Sequence, residues 1–226
     1  MRLNRFQYLN RGYNKVLVLI PGWGFDARIF EPLDLDFDYL LPQIKDPKRF
    51  SPDLMSALVE NQIKKVSLFG WSMGGFLAIS FLEEYGREFA EQIFLVSMRK
   101  SYPKKEIDSQ IALLIKDRRL YLSRFYRNCF IGQKQTFAWF KERMFSSYIE
   151  MFDLDFLLNG LDYLMQQRLK TAVLKENPVS IIHGEKDRIA PYSEMVELAK
   201  DISFPSIVVF KKSGHLPFLE PDFNLS

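Results

Sequence analysis

One serine of this chain stands in a setting that can make its hydroxyl a nucleophile. Ser72 is the centre of a Gly-x-Ser-x-Gly pattern, between Gly70 and Gly74. The apolar run 66–69 precedes the pattern, and a run with helical spacing, 75–85, follows it. A strand, a sharp turn and a helix in this order leave a serine hydroxyl exposed at the edge of a sheet. The pattern therefore predicts that Ser72 attacks a substrate; the alternative is an idle serine in a glycine-rich turn.

A serine hydroxyl needs a neighbouring base to take its proton, and the chain contains only two histidines. His215 lies in a turn directly after the last apolar run, 206–210, which reads as a strand. Loops at the carboxyl ends of parallel strands carry active sites, so we predict His215 as the base. His183 stands at the very end of a buried strand, where a structural role is expected and base chemistry is the alternative.

The base in turn needs a carboxylate on its other ring nitrogen, which fixes its tautomer and stabilises the imidazolium. Asp187 lies in the loop after the strand predicted at 179–184, and Glu185, two residues nearer the strand end, is its local rival. The order Ser72, Asp187, His215 along the chain is that of the α/β-hydrolases.

Attack on a carbonyl creates an oxyanion, which needs preorganised N–H donors. The first candidate donor is the amide of Met73, at the start of the helix after the nucleophile. The second is the amide of Trp23, in a glycine-rich turn after the buried run 15–20. The indole of Trp23 is expected either to line the acyl pocket or to pack as an aromatic at its rim.

The elements that position these residues alternate between apolar strands and helices, which predicts an α/β fold with a mostly parallel sheet and helices on both faces. The segment from 99 to about 175 contains no strand pattern and reads as several helices. We therefore expect an α/β-hydrolase core formed by residues 1–98 and 176–226. A helical lid, 99–175, is inserted after the strand near 92–97.

The composition is that of one globular domain with a substantial core, since 47% of the 226 residues are hydrophobic and 26% are charged. The single Cys129 cannot form an internal disulfide and has no metal-ligand spacing. The amino terminus lacks the apolar region of a signal peptide, and no run is long enough to span a membrane. We expect a cytoplasmic monomer that uses no metal or redox cofactor.

The net charge of +3 is unevenly distributed, because residues 99–143 hold 12 Lys and Arg against 4 Asp and Glu. A basic segment on a mildly acidic body indicates an acidic partner, with a solvated helical surface as the alternative. No recognisable nucleic-acid-binding motif accompanies the charge, so nucleic acid is not the expected partner.

In several motifs the chain resembles the pimeloyl-[acyl-carrier protein] methyl ester esterases of biotin synthesis, a family of α/β-hydrolases. The matching stretches are Gly22–Gly24, Gly70–Gly75, 157–161 and His215–Phe218. Pro21 replaces the histidine that this family carries in its oxyanion loop.

The resemblance implies a serine carboxylesterase that hydrolyses the methyl ester of a pimeloyl group attached to acyl carrier protein. It also implies that lid arginines meet the acidic carrier and its phosphopantetheine phosphate. The candidates are Arg118, Arg119, Arg124, Arg127 and Arg143. The alternatives are another carboxylesterase, thioesterase or carbon–carbon bond hydrolase of the superfamily, and a non-catalytic carrier-protein-binding relative.

Overall fold

The computed structural model describes residues 5–174 and 178–225, so the predicted boundary between 175 and 176 lies outside the described residues. A seven-stranded sheet forms the centre, in the order β1-β3-β2-β4-β5-β6-β7. The edge strand β1 pairs antiparallel with β3, and the other strand pairs of the described residues are parallel. The strands are β1 (Phe6–Leu9), β2 (Val16–Ile20), β3 (Asp38–Pro42), β4 (Val66–Trp71), β5 (Ala90–Val96), β6 (Val179–Gly184) and β7 (Ser206–Phe210).

The central strands are apolar along their length because helices and loops cover both of their faces. Every residue of β4 is buried, and β4 pairs in parallel with β2 on one side and β5 on the other. The register sets Ile20 beside Gly70 and Trp71 beside Val96, so these strands end at the same edge. This arrangement confirms the predicted α/β fold.

Three helices are interleaved with the strands: α1 (Phe50–Glu60), α2 (Met73–Tyr85) and α8 (Tyr192–Ala199). The sequence predicts that α1 starts at Pro52 with Ser51 as its cap, and this prediction is wrong. The side chain of Asp46 instead caps a 3-10 turn, Pro47–Arg49, by accepting from the amide of Lys48. That turn runs directly into α1, which leaves Ser51 inside the helix.

Among the described residues between β5 and β6, five α-helices lie within the segment predicted as the lid. They are α3 (Lys104–Lys116), α4 (Arg118–Cys129), α5 (Lys134–Arg143), α6 (Phe145–Met151) and α7 (Leu154–Gln166). The sequence predicts a single helix from Thr136 to Phe145, whereas α5 ends at Arg143 and α6 begins at Phe145, after Met144.

The lid helices share one hydrophobic core with the sheet. Phe25, in the loop after β2, packs against Tyr126, Phe140 and Tyr148 of the lid, with ring centroids between 5.1 and 6.0 Å away. Edge-to-face aromatic pairs of this kind add stability beyond their buried area. Within 5–174 and 178–225, no helix has the length and apolar character needed to cross a bilayer.

Candidate active site

Ser72 sits on a sharp turn between β4 and α2, with φ 55° and ψ −117°, a backbone region that non-glycine residues rarely adopt. The neighbouring chain comes too close for side chains: a Cβ on Gly74 would lie 2.2 Å from the carbonyl oxygen of Ile20. A Cβ on Gly70 would lie 2.5 Å from the Cα of Gly75. The glycines are therefore needed to let the serine stand at the strand end.

His215 and Asp187 form a buried pair at the same edge of the sheet. Nδ1 of His215 lies 2.7 Å from Oδ2 of Asp187, and its N–H donates to that carboxylate. The other carboxylate oxygen accepts from the amides of Ile189 and Ala190, at 2.8 and 2.9 Å. The carboxylate is thus held from both sides, whereas Glu185 is exposed to solvent. The geometry favours Asp187 over its rival as the partner of the ring.

Trp71 connects this pair to the serine that follows it in sequence. Its indole N–H donates to the carbonyl oxygen of His215 at 2.7 Å, and its ring centroid lies 5.4 Å from that of the imidazole. The structure therefore brings the elbow of Ser72, the imidazole and the carboxylate to one place. A serine nucleophile needs its base close by, and all three groups lie at this edge of the sheet.

His183 is fully buried at the end of β6, and its Nε2 lies 2.8 Å from the carbonyl oxygen of Ala190. Burial lowers the pKa of His183, although the Asp187 carboxylate, 3.7 Å away, opposes that shift. The ring is therefore neutral near pH 7, with its Nε2–H donating. Through Ala190 it supports the loop that carries Asp187, in keeping with the structural role expected of it.

The turn that carries Trp23 passes directly against Ser72. A Cβ on Gly22 would lie 3.2 Å from the Cβ of Ser72, so the turn packs closely on this serine. Met73 follows Ser72 as the first residue of α2, where the amides of a helix N-terminus lack intrahelical partners. The two candidate oxyanion donors thus lie on segments that flank Ser72.

The indole of Trp23 packs against helices α4 and α7 and also lines a cavity. Its Nε1–H donates to the carbonyl oxygen of Leu157 at 2.9 Å, and its ring meets Phe125 edge-on at 4.9 Å. A Cβ on Gly160 would lie 2.6 Å from the indole, so this glycine makes room for the ring.

A cavity of about 610 Å³ opens at Ser72, between the sheet edge and helices α3, α4 and α7. Its buried lining is largely apolar, and its exposed lining carries three cations, Lys116, Arg124 and Arg188, and one anion, Asp117. Its size suits a small or medium-sized organic ligand. The residues that line it are Trp23, Ser72, Tyr102, Glu106, Gln110, Leu113, Lys116, Asp117, Leu120, Tyr121, Arg124, Phe125, Asn128, Leu161, Leu164, Arg188 and Ile189.

Tyr102 is a site residue that the sequence reasoning missed. It lines the same cavity, and its hydroxyl interacts with the side chain of Ser72. Burial raises the pKa of Tyr102 to about 12, while Ser72 and the charge of Arg99 oppose the shift. The phenol therefore stays protonated beside the nucleophile. The one available signal was its place in the loop after β5, at the edge where the predicted site residues lie.

Arg99 holds this tyrosine in place and is itself nearly buried. Its guanidinium lies 4.9 Å from the centroid of the Tyr102 ring, over its face. It also pairs with Glu106 on α3 and with Glu194 on α8, each at 3.1 Å. A buried cation with two carboxylate partners links the lid to the core next to the cavity.

The five predicted arginines fall into two groups. Arg118 donates to the carbonyl oxygens of Ile149 and Phe152, and Arg119 pairs with Glu150, so both have partners within the lid. The other three are exposed and form no ion pair with the residues that the structure describes. These are Arg124, which also lines the cavity, Arg127 and Arg143.

The single cysteine of the chain does not line the cavity. The thiol of Cys129 is fully buried, and burial raises its pKa well above the ordinary value. In the described part of the chain, no cluster of His, Cys, Asp and Glu has the arrangement of a metal site.

Comparison with known proteins places the chain among enzymes of this architecture. The protein named AB hydrolase superfamily protein YisY from Bacillus subtilis (strain 168) is 26% identical over 221 residues, which cover 93% of this chain and 77% of that protein. The pimeloyl-[acyl-carrier protein] methyl ester esterase of Legionella pneumophila (strain Corby) is 25% identical over 237 residues, 92% of this chain and 90% of the relative. The solved structure of an esterase from Exiguobacterium antarcticum superposes with a TM-score of 0.79 at 19% identity, covering 95% of this chain and 89% of its own. Because the model of the alpha/beta hydrolase family matches residues 6–223, the chain belongs to that family and is a hydrolase.

Proposed function

We propose that this hydrolase is a serine carboxylesterase, with Ser72 as nucleophile, His215 as base and Asp187 as the group that orients the base. The observation that carries the proposal is the buried hydrogen bond of 2.7 Å between His215 and Asp187, beside the strained turn of Ser72 and its cavity. A protonated imidazole with a carboxylate partner is stabilised, which favours removal of the serine proton.

The reaction has two halves. In the first, His215 takes the Ser72 proton as the serine oxygen bonds to the ester carbonyl carbon. The amides of Trp23 and Met73 stabilise the oxyanion. The intermediate then collapses, the bond to the alcohol oxygen breaks, and His215 gives its proton to the departing alkoxide. In the second half, His215 takes a proton from water, which attacks the carbonyl carbon of acyl-Ser72. The bond to the Ser72 oxygen then breaks, His215 returns the proton to that oxygen, and the carboxylic acid leaves.

The proposed substrate is the methyl ester of a pimeloyl group on acyl carrier protein, cleaved to the free carboxylate and methanol in biotin biosynthesis. Support comes from the relatives of that name in Legionella pneumophila and Nitrosomonas europaea, each 25% identical. The cavity, whose exposed lining carries three cations against one anion, also suits an acyl chain that leads out to an anionic carrier. In this proposal the lid is the segment 99–175, and the protein works as a cytoplasmic monomer.

The carrier would meet the exposed arginines around the cavity. Arg124 is the first candidate because it both lines the cavity and has no internal ion pair among the described residues, and Arg127 and Arg143 follow. A guanidinium binds phosphate through two parallel hydrogen bonds, which suits the phosphopantetheine linkage.

The test is biotin-free growth of a bacterial strain that lacks its own methyl esterase, with the gene for this chain supplied. We expect growth with the wild-type protein and with Ser56→Ala, an exposed serine on α1, and none with Ser72→Ala. Purified protein is then compared on pimeloyl-carrier methyl ester and on small p-nitrophenyl esters. Activity on the small esters alone would retain the esterase and reject the carrier substrate; full activity of Ser72→Ala on both would reject the mechanism.

A further inference from the structure

Helix α4 divides its residues between the cavity and the core. Tyr121, Arg124 and Phe125 line the cavity. Leu122 and Tyr126 are instead buried, on a face that continues to the end of the helix at Cys129. An apolar stripe at this spacing anchors a helix against the protein interior. The helix that shapes the substrate site is therefore also packed into the fold.

The first anchor of α4 reaches the turn that carries a proposed oxyanion donor. The Tyr126 hydroxyl donates to the carbonyl oxygen of Gly24 at 2.8 Å, one residue after Trp23. Its ring packs on Phe25 and Phe140, with centroids 5.1 and 5.4 Å away. Burial raises the pKa of Tyr126, so the phenol remains a donor at every working pH. This bond fixes the turn from the lid side.

The second anchor reaches the loop of the proposed base. The carbonyl oxygen of Cys129, the last residue of α4, accepts from the amide of His215 at 2.8 Å. Four residues later the buried side chain of Gln133 donates through Nε2 to the carbonyl oxygen of Leu216, also at 2.8 Å. A Cβ on Gly214 would lie 2.6 Å from the Cys129 carbonyl, so the two segments are in close contact. These two hydrogen bonds hold the backbone at His215 and at Leu216, the residue after it.

We infer that α4 and the turn after it are a fixed part of the catalytic machinery, with Tyr126 and Gln133 as positioning residues for the oxyanion turn and for His215. The inference rests on the proposed function. A swing of α4 away from the sheet would break three buried hydrogen bonds and leave their polar groups without partners, which is costly. Substrate therefore enters the cavity while α4 stays in place.

The experiment compares Tyr126→Phe and Gln133→Met on p-nitrophenyl acetate. We expect kcat to fall about tenfold in each variant, since small misplacements of catalytic groups have large effects on rate. KM should stay within about twofold, because neither side chain lines the cavity. In proton NMR, the downfield resonance of the His215 Nδ1–H should weaken in Gln133→Met and persist in Tyr126→Phe. Because the chain has two histidines, the variant His183→Gln is used to assign this resonance to His215.

Two matched controls separate positioning from a loss of stability. Gln135→Met changes an exposed glutamine two residues after Gln133. Tyr163→Phe removes only the hydroxyl of a buried tyrosine, which lies 3.5 Å from the hydroxyl of Ser80. Both should keep the wild-type kcat and resonance. If Gln133→Met does not fold, Gln133→Leu also removes the N–H donor with a different apolar side chain, and the same losses are expected.

The inference is overturned if kcat stays within twofold of wild type in both variants, or if the controls lose as much. An unchanged kcat in these variants with an inactive Ser72→Ala rejects the inference alone. An active Ser72→Ala rejects the proposed function beneath it.

Discussion

At the scale of single residues, the two acidic side chains after β6 lie two positions apart and have different surroundings. Asp187 is buried against His215, and Glu185 is exposed. We expect Asp187→Asn to lower kcat about 10³-fold or more, because an amide there favours the wrong imidazole tautomer. Glu185→Gln, the matched change, should stay within about twofold. The measurement is steady-state hydrolysis of a p-nitrophenyl ester; equal losses in the two variants would contradict the assignment.

His183 makes a separate prediction about stability and pH. Burial lowers its pKa in the folded protein, whereas in the unfolded chain the pKa is about 6.5. As the pH falls below about 6.5, the unfolded chain therefore gains a proton that the folded protein does not, and the free energy of unfolding decreases. The slope from this one group reaches at most about 1.4 kcal/mol per pH unit.

Urea unfolding between pH 5 and pH 8 measures this effect. We expect His183→Gln to be less stable than wild type at pH 8, where the neutral ring supports Ala190. The difference should shrink as the pH falls below about 6.5. A difference that stays constant or grows at low pH would mean that His183 is charged in the folded protein.

The sequence could predict the three proposed catalytic side chains because each stands directly after an apolar strand, and strand ends share one edge. It could not predict Tyr102 or Gln133. Their roles depend on contacts across the fold, with Ser72 and with Leu216, 83 residues from Gln133. The place of Tyr102 after β5 marks only the sheet edge near which it lies, and the local sequence around Gln133 carries no signal.

At the scale of elements, the central strands were readable because burial on both faces requires continuous apolar runs. The boundaries between helices within segment 99–175 were not readable. The break between α5 and α6 falls at Met144, and no glycine or proline marks it. The aromatic side chains around it, Phe140 and Tyr148, stack at 5.7 Å across the break. Tertiary packing, and not local propensity, sets this boundary.

The contact between α7 and the oxyanion turn gives the prediction at this scale. Gly160→Ala would place a methyl group about 2.6 Å from the Trp23 indole, so one of the two must move. We expect a loss of about 1–3 kcal/mol in the free energy of unfolding, as is usual for overpacked sites, together with a lower kcat. Denaturant unfolding and ester hydrolysis measure the two effects.

A second substitution tests whether the indole is the cause. Trp23→Ala removes the indole and with it the atoms that a Cβ on Gly160 would meet. The double variant should therefore lose less stability than the two single variants added together. Strict additivity would mean that Gly160 serves another purpose.

At the scale of the whole molecule, positive charge is concentrated on the lid, and the cavity opens beside it. Of the lid arginines, Arg124 lines the cavity and Arg119 is paired with Glu150. We expect Arg124→Gln to raise KM for a carrier-bound ester about fivefold at low salt, because exposed charges steer an acidic partner. The KM for p-nitrophenyl acetate should change less than twofold.

Arg119→Gln is the matched control and should leave both KM values near wild type. Raising the salt concentration should increase the KM of the wild-type protein for the carrier-bound ester and remove the difference between the two variants. A KM for that ester that ignores both salt and Arg124 would argue against an acidic partner at this surface.

The most direct test of the account asks which atom is the nucleophile. An alkyl fluorophosphonate reacts with an activated serine: the serine oxygen bonds to phosphorus, fluoride leaves, and the proton passes to the base. Intact-mass and peptide mass spectrometry should show one label per chain, on Ser72. Labelling should be absent in Ser72→Ala and at least about 100-fold slower in His215→Gln, since the hydroxyl depends on its base. A label on another residue, or an undiminished rate in either variant, would contradict the central claim.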